Sequence, residues 1–259
     1  MNKLKTAFIL AFLMMAQTGL FSQQQDSTQN TMVFSGSLGI TNNGFSIVPT
    51  FSLNSPAGLI LLSWRKNKFS IDPDIRLTAD ARKGGMLFWL RYYPVEKKKF
   101  SLRLGAHPAF NFQIREIEVN GVTSEITQMR RFLAWEASPN YKITPDWSIG
   151  IYYLQGNGLQ KDGPRTTHFI TLNTSISNIK LAKKIRLALA PAVYYLNLDG
   201  YEGTYFTATG TISHTRSPFS LQSAINQTFH SNLPGNKDFL WNVSLSYKFS
   251  KTYILKKGN

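Results

Sequence analysis

"FSLRLGAHPAFNFQIRE", residues 100–116, alternates without a break. Phe100, Leu102, Leu104, Ala106, Pro108, Phe110, Phe112 and Ile114 form one row, and Ser101, Arg103, Gly105, His107, Ala109, Asn111, Gln113 and Arg115 form the other. Successive side chains of a β-strand point to opposite faces, so a period of two over this length specifies a strand with one apolar and one polar face. The stretch is far longer than the about five to six residues of an ordinary soluble strand.

The same pattern recurs. In "FSIDPDIRLTAD", residues 69–80, Asp72, Asp74 and Asp80 share a face with Arg76, and such a face has to meet water or a polar network rather than an apolar core. "IRLALAPAVYYL", residues 185–196, alternates in the same way. Strand-like runs fall at about 32–41, 45–53, 58–65, 69–81, 86–95, 100–117, 124–142, 148–156, 166–179, 185–198, 204–214, 218–230 and 238–250. Turn chemistry separates them, including Asn43-Gly44, Asn54-Ser55-Pro56, Gly84-Gly85, Asn120-Gly121 and Asp199-Gly200. No helical period competes, and the chain reads as all-β hairpins laid end to end.

Composition bounds the setting. The chain has 259 residues, 42% hydrophobic and 17% charged, which excludes a disordered segment. Residues 1–22 read as a signal peptide: Lys3 and Lys5, an apolar run from Ala7 to Met15, then the small residues Gly19 and Ser22. That apolar run is shorter than the roughly 20 residues of a spanning helix. Residues 23–31 read as a linker, 32–250 as the folded unit and 251–259 as a tail. There is no cysteine, so disulfides, thiol chemistry and lipid attachment at cysteine are excluded. The formal charge of +15 is dispersed in short groups such as "RKNK" at 65–68 and "EKKK" at 96–99, and export makes nucleic acid no partner.

Two all-β architectures alternate in this way, a soluble sandwich and a membrane barrel. A tilted membrane strand needs about nine to eleven residues, which most of these runs supply. Phe, Trp and Tyr make up 13% of the chain and collect at strand ends, as in the two aromatic girdles of a barrel. The barrel is therefore the expected fold, with the Phe100 row toward lipid and the Arg103 and His107 row inward.

The last strand carries a family resemblance. In "FLWNVSLSYKF", residues 239–249, Trp241, Val243, Leu245, Tyr247 and Phe249 share one face, and the strand closes on an aromatic residue, with "SKTYILKKGN" following. This resembles the C-terminal assembly signal of Gram-negative outer-membrane β-barrel proteins. The resemblance implies an antiparallel transmembrane barrel in the bacterial outer membrane, with both termini in the periplasm. Its implied partners are outer-membrane lipids, lipopolysaccharide and the barrel assembly machinery; an envelope protein docked on loops or tail belongs to the alternative of an accessory barrel. Thirteen runs cannot bring both termini to one side, so the expected count is even: twelve, within a range of ten to fourteen. Asn120-Gly121 suits a two-residue hairpin turn, so strands 100–117 and 124–142 are expected to project as a long outer hairpin.

Projecting the polar rows inward gathers Asp72, Asp74, Arg76, Arg91, Arg103, His107, Arg115 and Glu136 on neighbouring strands. Opposite charges there are expected to pair. Such an interior makes either the lining of a narrow passive channel or a plug in a structural or accessory barrel. Arg91, Arg103 and Arg115 toward one wall would favour anions. A lipid-modifying hydrolase is the third reading, but no catalytic constellation emerges: His107 has no serine beside it, His168 faces outward without a His-x-Ser stretch, and His214 and His230 lie at strand ends. Glu116, Glu118 and Glu125 on the outer hairpin read as solvated carboxylates, so no metal and no cofactor is assigned.

Overall fold

A computed structural model describes residues 31–44, 46, 52–119, 121–161 and 163–254. The expected signal peptide lies outside these residues. Twelve strands are found among them: β1 (Thr31–Thr41), β2 (Ala57–Lys66), β3 (Phe69–Thr78), β4 (Gly84–Glu96), β5 (Phe100–Val119), β6 (Val122–Lys142), β7 (Trp147–Gly158), β8 (Thr166–Lys180), β9 (Ile185–Leu198), β10 (Tyr201–His214), β11 (Phe219–Ser231) and β12 (Phe239–Ile254). Each pairs antiparallel with its sequence neighbours, and β1 pairs with β12 to close the barrel. Closure leaves no strand edge, which is what hydrocarbon demands of a sheet.

The main departures from the sequence reading lie at the first connection, at the end of β3 and at the end of β12. The run at 32–41 is a full wall strand, paired on one side with β12 and on the other directly with β2. The surplus run is 45–53: residues 45 and 47–51 lie outside the described residues, while Ser46, Ser52 and Leu53 are not in a strand. β3 ends at Thr78 rather than at residue 81, because Asp80 turns back to accept hydrogen bonds from Thr78 Oγ1 (2.6 Å) and Arg82 N (3.1 Å). β12 runs to Ile254, past Ser250, because β1 begins at Thr31 and gives it a partner there.

The outward rows carry the large apolar residues. Phe69, Ile71, Leu104, Leu133, Leu172, Leu221 and Leu245 are all exposed, an arrangement that water would penalise and acyl chains would not. Aromatic side chains band the wall near the turns on the terminal side: Phe34 stacks on Trp64 (centroids 4.7 Å) and Phe69 on Tyr92 (4.8 Å), with Phe100, Tyr141, Trp147, Phe219 and Tyr247 at corresponding strand ends. Trp135, Tyr201, Phe229, Phe239 and Trp241 band the opposite end. β5 and β6 are the longest strands, and Gly121 at their turn has φ +76°, a conformation glycine adopts without strain.

The interior is filled unevenly. On the β8–β10 side Phe169, Tyr194, Leu196, Leu198 and Tyr205 form an apolar cluster capped by Leu233 from the β11–β12 loop. Tyr194 and Tyr205 stack at 4.7 Å, and their hydroxyls are satisfied by Asn226 and Ser231. On the β3–β6 side the filling is charged.

Candidate functional site: a charged belt and a lumenal chamber

Buried charged residues on the inner face of a barrel are withdrawn from bulk water, so each needs a partner within hydrogen-bond reach. β3, β4, β5 and β6 meet this need laterally. Asp72 accepts from Ser63 Oγ (2.5 Å), Ser70 Oγ (2.8 Å) and Arg91 Nη1 (2.9 Å). Arg91 Nε donates to Glu136 Oε1 at 2.9 Å, and Arg103 Nε lies 2.8 Å from the same oxygen. Arg76 grips Asp74 with two parallel bonds, 2.9 and 2.8 Å long.

Strand order makes this belt reachable. Arg91 on β4 and Glu136 on β6 are separated by β5, whose residue between them is Gly105. A Cβ at Gly105 would sit 2.9 Å from Glu136 Oε1 and 3.2 Å from Arg91 Cγ, so the missing side chain is what lets the pair cross. Trp89 organises the row above, with the Arg91 guanidinium 4.5 Å over its ring and the His107 ring 3.9 Å from it. His107 is buried, and its Nδ1 lies 3.3 Å from Pro108 O.

Seven of the eight residues projected from sequence are thus on the inner wall between β3 and β6. Arg115 is not with them: it is exposed, opposite Ile126 on the hairpin extension, because β5 has left the barrel wall by that point. The arginine surplus expected along this wall also disappears, since Arg76, Arg91 and Arg103 meet Asp72, Asp74 and Glu136 one for one.

Between the belt and the aromatic cluster lies a chamber of about 480 Å³. Thr41, Gly44 and Ser46 stand at one end of it and Lys248 at the other. Hydroxyl and amide side chains of β10 to β12 and β1, such as Thr209, Gln222, Asn242, Ser244 and Ser246, form one side; Leu59, Leu61, Trp89, Tyr152 and Phe169 face them. Lys248 has no ion-pair partner among the described residues, which gives the chamber a net positive charge at that end.

The β1–β2 connection contributes to this space in a way the sequence reading did not foresee. Gly44 and Ser46 line the chamber and Leu53 is buried. Lys83 Nζ donates to Leu53 O (2.9 Å) and to Ser55 Oγ, and Lys237 Nζ to Asn54 Oδ1 (3.2 Å), tying the connection to two other loops. "NSPAG" signals a turn but carries no sign of which way the turn folds. Lys248 was legible in principle, because the outward row Trp241 to Phe249 places it on the opposite face.

The remaining histidines are placed apart. His168 faces outward and its Nδ1 lies 2.9 Å from Tyr153 OH, His214 Nδ1 accepts from Arg216 N in a turn, and His230 is exposed. Among the described residues no group of three or more His, Asp or Glu is arranged to hold a metal ion. The outward row Trp241, Val243, Leu245, Tyr247 and Phe249 lies on the lipid-facing side of β12, where Tyr247 meets Phe219 at 5.4 Å.

No protein-family model and no curated protein matches the sequence. Solved structures do match the fold. The KdgM porin aligns with a TM-score of 0.51 at 12% identity, over 83% of this chain and 99% of that one. The KdgM porin in complex with disordered oligogalacturonate aligns at 0.50 and 12%, over 84% and 99%. An outer-membrane channel from Pseudomonas putida F1 gives 0.49 and 12%, over 90% and 100%. At this identity the likeness is one of architecture: the chain has the closed antiparallel barrel of outer-membrane proteins.

Proposed function

We propose that this outer-membrane-type barrel is a narrow passive channel for small solutes, with a mild preference for anions. The observation that carries the reading is the chamber of about 480 Å³ between the two filled sides of the barrel, one side of which carries hydroxyl and amide groups between Thr41 and Lys248 while the other is largely apolar. The hydroxyl and amide side replaces part of a solute's hydration without holding it tightly, which is what conduction requires. The bore is small for a physical reason: twelve strands stand between the filled eight-strand barrels and the open porins of about 16 strands. That two of the similar structures are a porin agrees with this reading.

Anion preference rests on Lys248 alone, because the arginines of the belt are neutralised by their carboxylates. Planar-bilayer recording of the purified protein tests both parts. Discrete conductance steps with chloride favoured over potassium are expected, and Lys248→Glu is expected to invert the preference while steps persist. A protein that inserts but never conducts would favour a plugged accessory barrel, for which the burial of Leu53 and Leu233 at the loop end speaks.

A further inference from the structure

The formal charge of +15 is not spread evenly over the molecule. At the end that carries both termini, the segments "RKNK" (65–68), "EKKK" (96–99), "KITPD" (142–146), "KLAKKIR" (180–186), "HTRSP" (214–218) and "KFSK" (248–251) hold fourteen Lys and Arg against two carboxylates, Glu96 and Asp146. At the opposite end, residues 79–83, 113–131, 159–165, 199–202 and 232–238 hold by sequence eight basic and eight acidic residues, and the belt holds three of each. The excess therefore sits at one rim. Among the described residues a single ion pair there, Arg65 with Glu96, offsets any of it.

The basic groups stand just beyond the aromatic band of that side. Lys66 follows Trp64 by two residues, about 6.6 Å along a strand that rises about 3.3 Å per residue. Lys68 and Lys99 precede Phe69 and Phe100, Lys142 follows Tyr141, and Arg216 lies three residues before Phe219. Lys251 pairs with Phe34 and Lys66 with Phe69, so both lie in the outward row. All six basic side chains are exposed. An aromatic band marks the edge of the hydrocarbon, headgroups lie next to it, and the long stem of a lysine lets its ammonium reach them.

We propose that this rim binds an annulus of anionic phospholipid, of the phosphatidylglycerol class, through the headgroup phosphates. Charge selects the lipid: a zwitterionic headgroup carries its own cation, whereas phosphatidylglycerol leaves its phosphate to the basic side chains of the protein. Distribution selects lipid over an acidic protein. Basic groups stand at all five turns of this end and at the β1–β12 seam, and headgroups surround the whole circumference, whereas a docked protein covers one sector. Direction separates the annulus from the channel, because Lys66 and Lys251 point outward while Lys248 faces the chamber. The annulus goes beyond the channel reading, since lipid binding needs no conduction.

The test uses the full-length protein in phosphatidylcholine vesicles doped with spin-labelled phosphatidylglycerol or spin-labelled phosphatidylcholine. Electron spin resonance separates label held at the barrel surface from label in the bulk bilayer and gives the relative association of the two lipids. Phosphatidylglycerol is expected to be favoured by about fivefold, the effect of one basic side chain at an anionic membrane surface. At about 1 M salt, where the screening length is about 3 Å, the preference should fall below about twofold. Lys66→Gln, Lys68→Gln, Lys99→Gln, Lys142→Gln, Arg216→Gln and Lys251→Gln combined should have the same effect at low salt. Lys161→Gln, Arg165→Gln and Lys237→Gln combined, at the opposite end, should leave the preference unchanged. Equal association of the two lipids, which is also the result if an acidic protein is the true occupant, would overturn the annulus. So would a preference that salt does not weaken, one that survives the terminal-rim variant, or one that both variants remove. The salt series is read on the parent protein, so it decides even if the terminal-rim variant misfolds. None of these results bears on the conductance measurement of the channel reading.

Discussion

Arg91 Nε on β4 and Glu136 Oε1 on β6 are 2.9 Å apart across the full width of β5. The Glu136 side chain is fully buried and Arg91 is 18% exposed, so neither charge is screened and each depends on the other. Arg103 and Asp72 extend the pair into a belt that ties four strands together on the inside of the wall.

Glu136→Ala removes the shared partner of Arg91 and Arg103, leaving Arg91 with Asp72 alone and Arg103 without its ion-pair partner. Breaking a buried pair from one side costs about 3–5 kcal/mol, and the loss should appear in urea unfolding followed by the shift between folded and unfolded mobility on unheated gels. Glu96→Ala breaks an ion pair to Arg65 whose side chains are 34% and 41% exposed, and it should cost less than about 1 kcal/mol. Equal losses from the two variants would contradict the burial argument.

Gly105→Ala should be harmful out of proportion to one methyl group. The added Cβ would meet Glu136 Oε1 and Cγ at 2.9 Å, displacing the belt at a cost of about 1–3 kcal/mol by overpacking. Gly85→Ala is the control: its nearest contact would be 3.8 Å, and its unfolding midpoint should stay near that of the parent.

The β3–β4 turn outside the membrane span should confer acid sensitivity. The hydrogen bonds from Thr78 Oγ1 and Arg82 N hold the Asp80 carboxyl below its ordinary value. A depressed folded-state pKa stabilises the fold above the ordinary value of 3.8 and loses that contribution as pH falls through the folded value. Asp80→Asn should therefore lower the unfolding midpoint at pH 7 and leave it unchanged at a pH below the folded-state pKa, measured in parallel urea titrations.

How far these features were legible follows from what alternation encodes. The rows of residues 100–116 assign each side chain to a face because a strand has only two faces, and seven of the eight projected inner residues follow from that parity. Arg115 escapes it because parity does not say where along β5 the membrane ends. The partnership of Arg91 with Glu136 depends on register across two ladders and on the absence of a side chain at Gly105, neither of which is a local property.

The central claim is that alternate residues of these strands meet lipid and lumen. The chain has no cysteine, so single cysteines at 241 through 247 of β12 can each carry a spin label without background. Accessibility to oxygen, which concentrates in acyl chains, and to a water-soluble nickel chelate should be measured for each label in lipid vesicles. The account predicts oxygen maxima at 241, 243, 245 and 247, with minima at Asn242, Ser244 and Ser246. Oxygen accessibility that shows no period of two along this strand would contradict it.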